Sequence, residues 1–125
     1  MRSVVNFEIP ADDVDRAKEF YSSTFGWQLQ DIPDMSYTVA QTTEVDEQTQ
    51  LPTTPGAING GLIPRTQETP SLVITIDVTS VEEALKQVEA AGGRVVHPRT
   101  EIPGMGMYAY FADTEGNTLG LWENA

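Results

Sequence analysis

The chain contains no cysteine, so disulfides, thiolate metal sites and a cysteine nucleophile are all excluded. Lysine is nearly absent: Lys18 and Lys86 are the only two, and His97 is the only histidine. With one histidine and no nucleophile-elbow pattern, a Ser-His-Asp hydrolase is excluded as well. No apolar run approaches the roughly 18 residues of a membrane span, and no charged n-region with a long apolar stretch opens the chain. The expectation is a cytoplasmic protein. Positive charge is scarce, with 19 Asp and Glu against 7 Lys and Arg and a net charge of −12. Such a surface repels nucleic acid and anionic membranes, so neither is an expected partner. An acidic, lysine-poor, threonine-rich surface also suits a high-salt cytoplasm, where screening offsets self-repulsion, although an ordinary acidic protein has the same composition.

What is present is one domain's worth of chain, 125 residues, with a plan that occurs twice. Residues 2–9 alternate as a strand, with Val5, Phe7 and Ile9 on one face and Val4, Asn6 and Glu8 on the other. Pro10 ends it, Asp12 or Asp13 supplies an N-cap, and Val14, Ala17, Tyr21 and Phe25 recur at helical spacing with Phe20 beside them. Gly26 closes the helix. Strands are predicted over 27–32, 35–42 and 56–63, separated by a polar, mobile loop over 43–55. In the second half a strand over 72–78 leads through a Thr79-Ser80 cap to a helical stripe of Val81, Ala84, Leu85, Val88 and Ala91. Strands over 94–96, 107–112 and 117–123 follow, with an extended segment over 97–106 between the first two. Placing Ala17 over Ala84 and Gly26 over Gly93 sets the halves in register at an offset of 67. Each half therefore reads βαβββ, module 1 over about 1–64 and module 2 over about 70–125. Two such modules predict an α+β domain with a curved mixed sheet, helices on its convex face and a concave cleft.

Several segments carry a resemblance: Phe-Glu-Ile-Pro-Ala-Asp-Asp (7–13), Phe-Tyr-x-x-x-Phe-Gly-Trp (20–27), Ile-Asn-Gly-Gly-Leu (58–62), Ala-Ala-Gly-Gly (90–93), Ile-Pro-Gly-Met-Gly (102–106), and the stretch from Phe111 to Glu123. In this order and spacing the chain resembles the vicinal oxygen chelate superfamily of glyoxalases, extradiol dioxygenases and bleomycin-resistance proteins. That resemblance implies a divalent metal in the cleft, held by His, Gln or Glu from the first and last strands of each module. Carried over by the flanking motifs, those positions are Asn6, Gly60, Val73 and Gly120. Glycine and valine offer no side-chain donor, so the metal tetrad is missing and no cofactor is expected. A divalent metal would need a rearranged site built from Glu8, His97 or Asp77.

The resemblance further implies a small-molecule ligand and a homodimer. If Phe7, Ile9, Leu119 and Leu121 face the helices, the cleft is lined by Asn6, Glu8, Gly60, Val73, Thr75, Gly120 and Trp122, with Tyr108 or Tyr110 supplying an aromatic wall. The two glycines are expected to leave volume for an organic ligand. Glu8, a carboxylate on an inward strand face, is the candidate general acid or base; its alternative role is a salt bridge to Arg99 or Arg65. His97, in a connector before Pro98, is expected to lie at the surface. The primary expectation is a metal-free binding protein. An enzyme using Glu8 or a non-standard metal site, and an accessory subunit with a vestigial cleft, are the alternatives.

Overall fold

The computed structural model describes all 125 residues, and the chain divides into two compact units. One comprises Asn6–Thr66 and Pro70–Leu72; the other comprises Met1–Val5, Gln67–Thr69 and Val73–Ala125. The second unit thus takes in the first residues of the chain. The Asp77 amide donates to the Ser3 carbonyl at 2.9 Å, and Arg2 reaches the Gln87 side chain at 3.0 Å.

In the first unit β1 (Val4–Ala11, part of this unit from Asn6 onward) is followed by α1 (Val14–Phe25), β2 (Gln28–Asp31), β3 (Thr38–Gln41) and β4 (Asn59–Pro64), giving the strand order β2-β3-β4-β1. β1 and β4 are parallel; β2, β3 and β4 are antiparallel neighbours. Asp13 caps α1 by accepting from the Arg16 amide at 3.0 Å, and Gly26 ends the helix at φ 73°, where a side chain would be strained. Losing that cap in Asp13→Ala is expected to cost about 1 kcal/mol in urea unfolding; no change would mean that Asp12 takes over. The expected apolar stripe of α1 is only partly buried. Val14, Ala17 and Tyr21 lie half-buried, while Phe20 and Phe25 are 54% and 62% exposed. Tyr21 stacks on Trp27 at 4.8 Å, and Trp27 reaches Phe7 at 5.7 Å, so Trp27 ties the helix to the sheet and Phe25 stays outside. The loop over 43–55 has more order than its composition predicts. Val45 bridges Pro52, and the Asp46 carboxylate accepts from the Thr49 and Gln48 amides, which holds its pKa below the usual value.

In the second unit β5 (Val73–Asp77), α2 (Val81–Ala90), β6 (Arg94–Ile102), β7 (Gly106–Ala112) and β8 (Thr118–Asn124) repeat the plan with the order β5-β8-β7-β6. Its core is Val78, Val81, Ala84, Leu85, Ala109, Phe111 and Leu121. Ser80 caps α2 through the Glu83 amide, and Glu123 of β8 accepts from the Val81 amide at 2.7 Å, a second cap that no local motif announces. β6 is much longer than the expected strand over 94–96, because pairing with β7 continues to Ile102 through two register shifts. The architecture is α+β with mixed sheets, as expected, and no helix is long and apolar enough to cross a membrane.

Candidate functional site

Pairing registers decide which side chains share a face, because directly paired residues point the same way. In the first unit Phe7 pairs with Gly60 and Glu8 with Gly61. Gly60 therefore shares the Phe7 face, and the placement of Gly60 beside Asn6 and Glu8 is corrected: Gly61 stands there. A Cβ on Gly60 would lie 2.6 Å from the Phe7 ring, whereas one on Gly61 would run into the Tyr37 ring, 2.6 Å from its Cε1. The internal repeat agrees, since Glu8 advanced by 67 is Thr75, whose partner is Gly120. Gly61 and Gly120 are the equivalent pair.

The space at those glycines is not open. The Tyr37 ring lies over Gly61, and a Cβ on Gly120 would meet Thr75 Oγ1 at 2.7 Å. The expectation that the two glycines leave volume for a ligand is corrected accordingly. Glu8 is only 7% exposed and has Asn6 and Tyr37 for neighbours. Burial, and then the Glu8 charge, push the Tyr37 phenol well above its ordinary value, and a hydrogen bond with Asn6 partly opposes them. Tyr37 lies within the strand expected over 35–42 but one residue before β3, and it was missed because nothing in the sequence aims its ring at Asn6. Arg65 donates to Asp12 at 2.9 Å and to the Pro70 carbonyl at 2.6 Å, while Arg99 contacts the Met107 sulfur at 3.0 Å. A depression of about 250 Å³ in the same unit is lined by Tyr37 together with Val14, Asp31, Met35 and Leu62.

The second unit presents two transverse rows on one sheet face. One runs Thr75, Gly120, Tyr110, His97; the next runs Asp77, Trp122, Tyr108, Thr100. Thr75, Gly120, Trp122, Tyr108 and Tyr110 thus share the face expected of them, and Val73 begins it as a fully buried residue. Leu119 and Leu121 pack on the opposite, helix side. Gly106 lies beneath the Trp122 ring, 2.7 Å from Cζ2 to an added Cβ, and Trp122 Nε1 donates to Asn124 at 2.9 Å.

His97 is not the surface connector residue expected. Its side chain is 27% exposed and sits within β6. Nδ1 lies 3.0 Å from Glu68 Oε1, Nε2 lies 3.1 Å from Thr100 Oγ1 and 3.3 Å from the Tyr108 hydroxyl, and the ring stacks on Tyr108 at 5.3 Å. Strand alternation from Val95 would place it on the core side; the register shift between Val95 and His97 turns it over.

The residues at the four ligand positions do not fit a divalent metal. Asn6 is bonded to Tyr37, Gly60 faces Phe7, Val73 is apolar and buried, and Gly120 backs onto Thr75. Asn59, adjacent to Gly60, spends its carbonyl oxygen on the Thr42 and Thr43 amides. In the second unit His97 lies 3.0 Å from Glu68, and Asn124 donates to Asp77 at 3.4 Å. No three His, Asp or Glu side chains converge in either unit.

Comparison with known proteins gives a family match over residues 3–121 to the model described as Glyoxalase/Bleomycin resistance protein/Dioxygenase superfamily. A glyoxylase-like domain-containing protein of Didymella fabae is 32% identical, with 94% of this chain and 91% of that protein aligned. The anthracycline biosynthesis protein DnrV of Streptomyces peucetius is 27% identical over 93% of this chain but only 45% of its own length. This chain spans less than half of that relative. Among solved structures, a methylmalonyl-CoA epimerase of Streptomyces coelicolor, bound to 2-nitronate-propionyl-CoA, superposes with a TM-score of 0.63 at 16% identity, covering 98% of this chain and 96% of that one. At that identity the likeness concerns the fold.

Proposed function

The chain belongs to the Glyoxalase/Bleomycin resistance protein/Dioxygenase superfamily, and we propose that it is a member without the family's metal chemistry that binds a small, flat organic molecule. The observation that carries this reading is the polar-aromatic face of the second unit, where Tyr108 and Trp122 are cross-strand partners and Tyr110 lies across from Gly120 in the adjacent row. Aromatic side chains with hydrogen-bonding tips bury a flat ligand's faces and fix its orientation. Thr75, Asp77 and His97 bound the same face with polar atoms. The name of the anthracycline biosynthesis relative, which refers to a fused-ring aromatic product, agrees with this ligand class.

A thermal-shift screen with flat aromatic compounds tests the reading. At least one compound is expected to raise Tm, and Trp122→Ala and Tyr110→Ala should each weaken its binding by about tenfold or more, the loss expected of an aromatic anchor. If no compound stabilises the protein, or the variants bind as the parent does, the reading fails.

A second reading, an enzyme with Glu8 as acid or base, draws on the burial of that carboxyl beside Asn6 and Tyr37. Turnover of any ligand found in the screen, abolished in Glu8→Gln with ligand affinity intact, would favour it over simple binding.

A further inference from the structure

We propose that Glu68, His97 and Tyr108 form an acid–base site that takes the proton of an acidic hydroxyl, a phenol or an enol, carried by the flat ligand; the inference rests on the binding reading above and narrows its ligand class.

The hydrogen-bond inventory carries it. An ionised carboxylate only accepts, so the Glu68 contact at 3.0 Å puts the ring proton on His97 Nδ1 and leaves the lone pair of the neutral ring on Nε2. Thr100 Oγ1 donates its single hydrogen to the Pro98 carbonyl at 2.9 Å and can only accept at Nε2. The Tyr108 hydroxyl, 3.3 Å away, has a hydrogen to give. In the neutral ring Tyr108 therefore donates to Nε2; in the protonated ring Nε2–H donates to Thr100. Both protonation states find a partner with no heavy atom moving, as a proton-transfer group needs. The titratable groups facing the ring are Glu68 from the segment before β5 and Tyr108 and Tyr110 from β7.

The step balances without a co-reactant. The ligand O–H bond breaks, its proton forms the Nε2–H bond, and the electron pair stays on the ligand oxygen. His97 keeps its Nδ1–H bond, and Glu68, still accepting from it, faces the new imidazolium. The Tyr108 hydroxyl, released from Nε2, turns to donate to the ligand oxyanion. Reversal returns the proton.

The probe is 4-nitrophenol, whose neutral and ionised forms absorb differently, with 4-nitroanisole as the analogue that has no proton to give. Binding is followed by quenching of Trp122 fluorescence in a Trp27→Phe background. Below the probe's own pKa, bound nitrophenol is expected to show the phenolate band. In His97→Gln it should stay neutral and bind about tenfold more weakly, the worth of one charge-assisted hydrogen bond, while nitroanisole binds both proteins equally. Glu68→Gln should reduce the phenolate band. Because the chain has a single histidine, its ¹⁵N signals need no assignment, and the Nδ1–H tautomer is expected in the unaltered protein. Quenching by both probes without a phenolate band, or an Nε2–H tautomer, overturns this inference and leaves the binding reading standing. Quenching by neither probe counts against both.

Discussion

Gly60→Ala is expected to destabilise the protein by about 3 kcal/mol, at the top of the usual range for overpacking, while Gly61→Ala costs about 1 kcal/mol. The two glycines are neighbours on one strand, yet their obstacles differ in kind. A Cβ at Gly60 meets the Phe7 carbonyl oxygen, and lies 2.6 Å from two ring carbons of the same residue. That carbonyl is backbone, held by the parallel pairing of β1 with β4, so relief requires parting the two strands. A Cβ at Gly61 meets only the ring and hydroxyl of Tyr37, a side chain that swings away at the loss of its hydrogen bond with Asn6. Urea unfolding gives the stability difference, and near-ultraviolet circular dichroism reports the displaced tyrosine. Equal costs at the two positions, or an unchanged tyrosine signal in Gly61→Ala, would contradict this account of the face.

Stability should also fall steeply above about pH 10, where tyrosine in an unfolded chain begins to ionise, and Tyr37→Phe should remove most of that slope. The Tyr37 phenol is pushed up in the fold, first by burial and then by the Glu8 charge, with Asn6 opposing. The folded value lies above the unfolded one, so the stabilisation is complete below the unfolded pKa and is lost as pH rises from there toward the folded value. In that window the unfolded chain releases a proton that the folded chain keeps. The slope approaches about 1.4 kcal/mol per pH unit for one such group. Thermal midpoints of the parent and of Tyr37→Phe between pH 8 and 11.5 decide it. If the two fall in parallel, another group is responsible.

The fold was legible to the extent that it is written in local chemistry. Asp13 and Ser80 cap the helices they precede, Gly26 ends α1 in the left-handed region, and the offset of 67 announces the second βαβββ unit. The apolar alternation of Leu119 and Leu121 correctly put Gly120 and Trp122 on the other face, because β8 runs without a register shift. The candidate site was less legible. Gly60 and Gly61 look alike in sequence; parallel pairing to β1 sets which one faces Glu8, and a strand's own alternation carries no information about its neighbour's register. Phe25 sits at helical spacing with Tyr21, but Trp27, beyond the helix, takes the place against the sheet.

His97 shows the division most clearly. From the sequence it is one histidine before a proline, in a connector after the strand over 94–96 and expected at the surface. A register shift turns its side chain to the Tyr110 face, and Glu68, 29 residues earlier, supplies its partner. By itself the sequence determined the repeat, the elements, the acidic surface and the missing metal donors, because each depends on residue type and local spacing. Only the tertiary structure decided what replaces the donors, with Tyr37 over Gly61 and Thr75 against Gly120, and what His97 can do. Those depend on strand register and on chain segments far apart, and they are fixed by packing rather than by local propensity.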